Sequence, residues 1–159
     1  VEREPHCPSV TARLLQEARR AEGLGVLGVA DSATRHERAD LYAKALPAYV
    51  ATGIKFELLN PVLAEVDLEK LGKAINHERD QQFTYRGLQT LYDRYFIHKE
   101  GGRVELPLIF FMRVAMVLAI AERARVDLAI EFYPLLSSFD YLSSTPTLFS
   151  AGSLHLQPA

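Results

Sequence analysis

Between Leu106 and Ala121 the chain reads LPLIFFMRVAMVLAIA, apolar at almost every position. A helix without a polar face must be covered by protein all round. In a chain of 159 residues, such a segment either forms the centre of the fold or keeps an outer side for protein the chain does not supply. It includes Pro107 and Arg113 and falls short of the roughly 20 apolar residues a membrane span requires. Arg113 cannot readily reach water from that setting, so it needs a partner. A buried ion pair or a carbonyl contact with a neighbouring helix is expected, with anion binding as the other use of the charge.

The length suits one domain or the edge of a larger one. With 48% hydrophobic and 24% charged residues, the composition is that of a globular chain and excludes a disordered or collagen-like one. The 18 Lys and Arg residues stand against 20 Asp and Glu, leaving a net charge of -2. That provides no field for phosphate backbones or anionic lipid, so neither nucleic acid nor membrane is an expected partner. Cys7 is the single cysteine and cannot form an internal disulfide, which points to a reducing compartment. No signal peptide is readable in VEREPHCPSV, and the chain reads as soluble and cytoplasmic.

Periodicity predicts a mainly α fold with one small β-hairpin. Val10 to Ala21 has helical spacing, with Ser9 as N-cap and Gly23 as stop, and GLGVLGVADSAT reads as a loop. Leu41, Ala45, Ala48 and Tyr49 share a face of the next helix, which Pro47 should bend or divide and Gly53 should end. Asn60 before Pro61 opens a short turn, and Asp67 caps the helix LEKLGKAIN. Tyr85, Leu88, Leu91, Tyr92 and Tyr95 form an aromatic stripe. Around Gly101 and Gly102, FIHKEGGRVEL has hairpin form. A last helix, Val126 to Phe139, buries Leu128, Phe132, Leu135 and Leu136, with Pro134 as a kink or break. The Ser/Thr/Pro-rich end reads as loop or short strand.

Few positions offer chemistry. Gly23, Gly25 and Gly28 match the spacing of a dinucleotide-binding turn, but a polar helix precedes them where that turn needs a buried strand. His6, His36, His77, His98 and His155 have no ligand spacing, and no metal site is expected. His36-Glu37, His77-Glu78, Asp40 with Lys44 and Asp93 with Arg94 read as solvated surface. Tyr85, Tyr92, Tyr95, Phe110, Phe111 and Phe132 read as core aromatics. Thr145, Pro146 and Thr147 form a hydroxyl-rich turn that either offers donors to a phosphate or is plain turn chemistry.

Four segments carry a resemblance: GLQTLYDRYFIH (87–98), ELPLIFFMRVAMVLA (105–119), AIEFY (129–133) and SSFDYLSSTPTLFSAG (137–152). Together with DLYAKALPAYVATG and HERD, they resemble the large, catalytic subunit of class I ribonucleoside-diphosphate reductase from about Asp40 to Gly152. The resemblance implies that subunit's N-terminal all-helical domain over residues 36–140. Residues 141–159 would be the start of an α/β barrel whose remainder is absent. Residues 1–35 would be an extension without the nucleotide-binding cone that many family members carry.

What the resemblance implies for function is the reduction of ribonucleoside diphosphates to deoxyribonucleoside diphosphates. The full enzyme would work with a small subunit holding a metal-radical cofactor, with nucleotide effectors, and with thioredoxin or glutaredoxin as reductant. Thr147 corresponds to a threonine that contacts the substrate near its diphosphate. The family's Ser-Ser-Cys and its further cysteines are not in this sequence, so no catalytic residue is assigned and the chain alone should be inactive. On this reading it is a truncated or split part that needs the rest of the large subunit. The alternative is a stand-alone helical interaction module without catalysis.

Overall fold

A computed structural model describes residues 10–27, 35–82, 85–99, 102–103, 105–138 and 151–153. It is mostly helical. Helix α1 spans Val10–Leu27 and α2 spans Arg35–Lys55. A 3-10 turn, Pro61–Glu65, leads to α3 (Leu68–Lys73), and a second, His77–Gln82, precedes α4 (Tyr85–Thr90). A π-helical turn, Leu91–Tyr95, continues α4. Strands β1 (His98–Lys99) and β2 (Gly102–Arg103) pair antiparallel, His98 opposite Arg103, as the predicted hairpin. Helices α5 (Pro107–Ala119) and α6 (Arg125–Ser137) follow.

The two predicted caps form. Asn60 accepts from the Val62 amide at 3.0 Å with Pro61 at the first position of its turn, and Asp67 accepts from the Lys70 amide at 3.0 Å. Each side-chain oxygen satisfies an amide that the first turn of a helix leaves without a backbone partner.

Helix α5 is the centre of the molecule. All but Val117 and Leu118 of its residues are buried, and it packs chiefly against α6, while α2 packs against α3. Of the two outcomes open to an all-apolar helix, centrality is the one realised. No bare flank runs along it for absent protein to cover, and only Leu118, 41% exposed, faces out. Phe96, Phe110 and Phe111 cluster around its first turns, with ring centroids 5.1 to 5.7 Å apart.

Three local expectations are corrected. Helix α1 runs through Gly23 and Gly25 to Leu27, because Leu24, 1% exposed, is drawn into the core. That burial outweighs the roughly 1 kcal/mol cost of a helical glycine. The residues read as a loop are therefore helix as far as Leu27, and Ser9 lies outside the described residues. Gly53 does not stop α2, which continues to Lys55. A side chain at Gly53 would collide with Leu59, so this glycine serves packing. The chain reverses at Glu57, in the left-handed conformation at φ 57°, while the Leu58 and Leu59 amides return to the Gly53 carbonyl at 2.8 and 3.1 Å.

Helix α6 is also turned about its axis relative to expectation. Ala129, Tyr133 and Leu136 are buried, Leu128 and Phe132 only partly so, and Leu135 is 51% exposed. Neither Pro47 in α2 nor Pro134 in α6 divides its helix. Pro47 removes the N–H that would bond the carbonyl of Ala43. At this level the backbone of α3 closes on α2: a Cβ at Gly72 would lie 2.5 Å from the Tyr42 carbonyl oxygen and 2.7 Å from Ala43 Cα.

Candidate functional site

The fold's most concentrated polar chemistry lies beneath its surface, where α5 meets the chain on either side of it. Glu105 stands two residues ahead of α5 and Arg113 midway along it. Both side chains are almost wholly excluded from solvent. Arg113 Nε donates to Glu105 Oε1 at 2.6 Å and a terminal nitrogen donates to Oε2 at 3.3 Å. The same carboxylate accepts from the Tyr49 hydroxyl at 2.7 Å and the Ile97 amide at 2.9 Å. The other terminal nitrogen of Arg113 donates to the carbonyl of Ala151, and the guanidinium carbon lies 5.3 Å from the centre of the Phe110 ring.

Each member of this cluster is therefore paired, as buried charges require. Burial opposes the Arg113 charge, but Glu105 and the hydrogen bonds to Glu105 and Tyr49 more than offset it, so the guanidinium is held above its ordinary value. Burial and the adjacent carboxylate push the Tyr49 hydroxyl well above the usual phenol range. Neither group gives up a proton near neutral pH. The cluster is an anchor of fixed charge, not an acid or base.

What it anchors is the segment Ala151–Ser153. Beyond the Arg113 contact, the Gly152 carbonyl accepts from the Asn60 amide at 2.8 Å, and Ser153 forms an antiparallel bridge with Leu59. Gly152 has φ +73°, and a Cβ there would meet Leu63 at 2.8 Å and Val117 at 3.0 Å. Only glycine combines that backbone with that space.

A second arginine holds the end of α6. Arg79, from the HERD segment, donates to the Pro134 carbonyl at 2.8 Å and to the Ser137 hydroxyl, and lies 6.0 Å from the centre of the Tyr133 ring. The Ser137 hydroxyl in turn donates to the Tyr133 carbonyl at 2.7 Å.

Thr147, with Thr145 and Pro146, lies outside the described residues. The cluster around Glu105 is nonetheless four residues along the chain from Thr147, at Ala151. Arg113 meets its expectation twice over, with an ion pair and a carbonyl contact, although neither partner sits on a neighbouring helix. The glycine motif cannot form a phosphate-binding turn, since Gly23 and Gly25 are helical; Gly28 lies outside the described residues. Among the described residues no group of His, Cys, Asp and Glu could hold a metal, and no helix is long and apolar enough to cross a membrane. A shallow apolar depression bordered by Leu63, Met116 and Arg125 has room for about one water, too little for a substrate.

Reasoning from residues alone missed Glu105, Tyr49 and Arg79 as members of these clusters. The demand of Arg113 for a counter-charge was the available signal. Glu105, the acid adjoining the apolar run, was the nearest candidate.

Comparisons with known proteins agree with this architecture. Residues 81–155 match the family model described as ribonucleotide reductase, all-alpha domain. The ribonucleoside-diphosphate reductase subunit alpha of Chlamydia trachomatis is 43% identical over 157 residues, covering 99% of this chain and 14% of that protein. The subunit alpha of Helicobacter pylori is 43% identical over 98 residues, 61% of this chain and 12% of that protein. The large chain 2 of Saccharomyces cerevisiae is 34% identical over 104 residues, 65% of this chain and 11% of that protein. The chlamydial match takes in most of residues 1–35 as well. The chain spans only about 14% of the length of the chlamydial subunit. Over that span it is similar to ribonucleoside-diphosphate reductase large subunits, and its residues 81–155 match their all-alpha domain.

Proposed function

We propose that this chain is the all-helical part of a large subunit that reduces ribonucleoside diphosphates to deoxyribonucleoside diphosphates for DNA synthesis. The 43% identity over 99% of the chain to a protein named for that reaction carries the reading. In the proposed enzyme the domain buttresses a barrel formed by the rest of the subunit, and Thr147 contacts the substrate beside its diphosphate. Residues 1–35 are an extension without an ATP-binding cone, 36–140 the helical domain, and 141–159 the start of the barrel.

The chemistry requires thiols that form a radical and a reducing pair, and this sequence holds Cys7 alone. The electron-donating cysteines are therefore proposed to stand on the remainder of the subunit. The radical comes from a metal cofactor in a separate small subunit, and thioredoxin or glutaredoxin restores the dithiol. Nucleotide effectors act on the assembled enzyme.

The test is turnover. The subunit carrying this chain, combined with its small subunit and a dithiol reductant, should convert a ribonucleoside diphosphate to its deoxy form, while the 159-residue chain in the same mixture should not. Turnover by the chain alone would contradict the reading. Thr147→Ala in the assembled enzyme should raise KM for the diphosphate with little change in thermal stability, and unchanged kinetics would remove Thr147 from the site.

A further inference from the structure

We propose that the outward face of α1 is a docking surface for an apolar helix supplied by the part of the same large subunit that lies outside these 159 residues. The inference rests on the reading of this chain as a portion of a longer subunit. It assigns a use to α1, which that reading leaves without one.

Val10, Leu14, Ala18, Ala21 and Gly25 recur at four- and three-residue spacing and therefore share one side of α1. All five are exposed. Val10 at 74% and Leu14 at 65% are the most exposed large apolar side chains among the described residues. A Cβ built on Gly25 would have no neighbour within 4 Å. Arg13 and Glu17, also exposed, edge the stripe without interrupting it.

Polar contacts on the other side fix how α1 is rotated. The Arg19 guanidinium carbon lies 3.7 Å from the centre of the Tyr92 ring. Glu22 accepts from Arg19 at 3.0 Å and from the Tyr92 hydroxyl at 3.2 Å. Arg20, 8% exposed, pairs with Glu17, and Leu24 is 1% exposed. The helix thus turns charged side chains toward the domain and holds Val10 and Leu14 away from it. Fully burying either one would gain about 1.5–3 kcal/mol, which this rotation forgoes. A single exposed leucine needs no explanation. A stripe five residues long, clamped outward, has the pattern of a helix covered on both sides.

The dimensions select the occupant. At 1.5 Å per residue the stripe is about 22 Å long and about 10 Å across, too small to bury the roughly 1,000 Å² that holds separate chains together. Within one polypeptide the connection itself supplies a millimolar effective concentration, and a smaller contact suffices. The chain spans 14% of the chlamydial subunit, so most of such a polypeptide is available to provide the helix. Between Ala18 and Gly25 only small side chains stand out, and a second helix axis can approach to about 8 Å. The matching helix carries large apolar side chains at that end and small ones opposite Val10 and Leu14.

The experiment uses the complete large subunit carrying this chain, with Leu14 replaced by the photoreactive benzoylphenylalanine. Illumination should join this position to a peptide outside the 159-residue sequence, while the product keeps the mass of one subunit on a denaturing gel. A cross-link to a second copy, to the added small subunit, only to residues of this chain, or to nothing would overturn the proposal. Leu14→Gln supplies a second measurement, since glutamine nearly matches leucine in helix propensity and removes only the apolar surface. It should lower the Tm of the complete subunit by at least about 2 °C, with Leu14→Met within about 1 °C of the parent. An unchanged Tm in Leu14→Gln is the result for a solvent-facing site and would also overturn it. Reductase turnover of the same protein separates the two readings. The expected cross-link in a subunit that reduces no ribonucleoside diphosphate would sink the proposed activity and leave the docking surface standing; an active subunit without the cross-link would do the reverse.

Discussion

Glu105 and Arg113, eight residues apart, meet as an ion pair in the core with Nε and Oε1 2.6 Å apart. The carboxylate accepts from Arg113, Tyr49 and Ile97, and the guanidinium reaches on to Ala151. This joins α2, the approach to β1, α5 and the segment at Ala151 through two side chains.

Removing one charge of the pair should therefore be costly. Glu105→Gln or Arg113→Met leaves the other charge buried and uncompensated, and either should lower unfolding free energy by about 3–5 kcal/mol. The double variant Glu105→Gln with Arg113→Met should recover part of that loss. Urea unfolding of the single and double variants gives the coupling, and strictly additive losses would show that the pair does not act as a unit.

Tyr49 predicts an alkaline limit. Its pKa is raised in the fold, by burial first and by Glu105 second, so the stability it contributes is complete below the unfolded value near pH 10 and lost as pH climbs toward the folded one. Stability should fall above about pH 10, by up to about 1.4 kcal/mol per pH unit from this one group. In Tyr49→Phe that component of the slope should vanish, while stability at neutral pH drops by about 1–3 kcal/mol for the partner the carboxylate loses. Equal alkaline slopes in both proteins would refute the assignment.

Much of the frame was legible from residues. Asn60 and Asp67 announce helix starts because a short polar side chain ahead of an apolar run has one obvious use, and α5 had to be covered all round because it has no polar face, although the residues alone left open whether this chain or further protein covers it. The orientation of α6 was not legible. In IEFYPLL nearly every position is apolar, so periodicity names no face, and packing chose Tyr133 over Leu135. Gly53 was misread because composition does not distinguish a glycine that turns the chain from one that admits Leu59. The anchor at Ala151 depends on contacts between residues far apart in sequence, for which spacing carries no signal.

Close backbone approach makes Gly72 a sensitive position. The atoms a Cβ would meet are the Tyr42 carbonyl oxygen and Ala43 Cα, main-chain groups that cannot rotate away. Gly72→Ala should cost about 1–3 kcal/mol by overpacking, despite alanine's better helix propensity. Thermal denaturation decides it: a raised Tm would mean that α3 does not close on α2 as described.

Glu57 predicts the opposite sign. It is exposed and holds φ 57°, a conformation that costs a residue with a Cβ about 1–2 kcal/mol and glycine almost nothing. Glu57→Gly should be neutral or stabilising by up to about 1 kcal/mol, measured as the change in urea midpoint. A loss of stability would place the helix end elsewhere.

The most direct trial of the whole account is a domain exchange. This chain should be grafted in place of the corresponding 157 residues of the Chlamydia trachomatis subunit alpha, and the chimaera assayed for ribonucleoside-diphosphate reduction with the chlamydial small subunit. A folded chimaera that keeps turnover within about tenfold of the parent, and loses it when Thr147 is changed to alanine at low substrate, is the predicted result. A folded chimaera with no reductase activity at any substrate concentration would contradict the account.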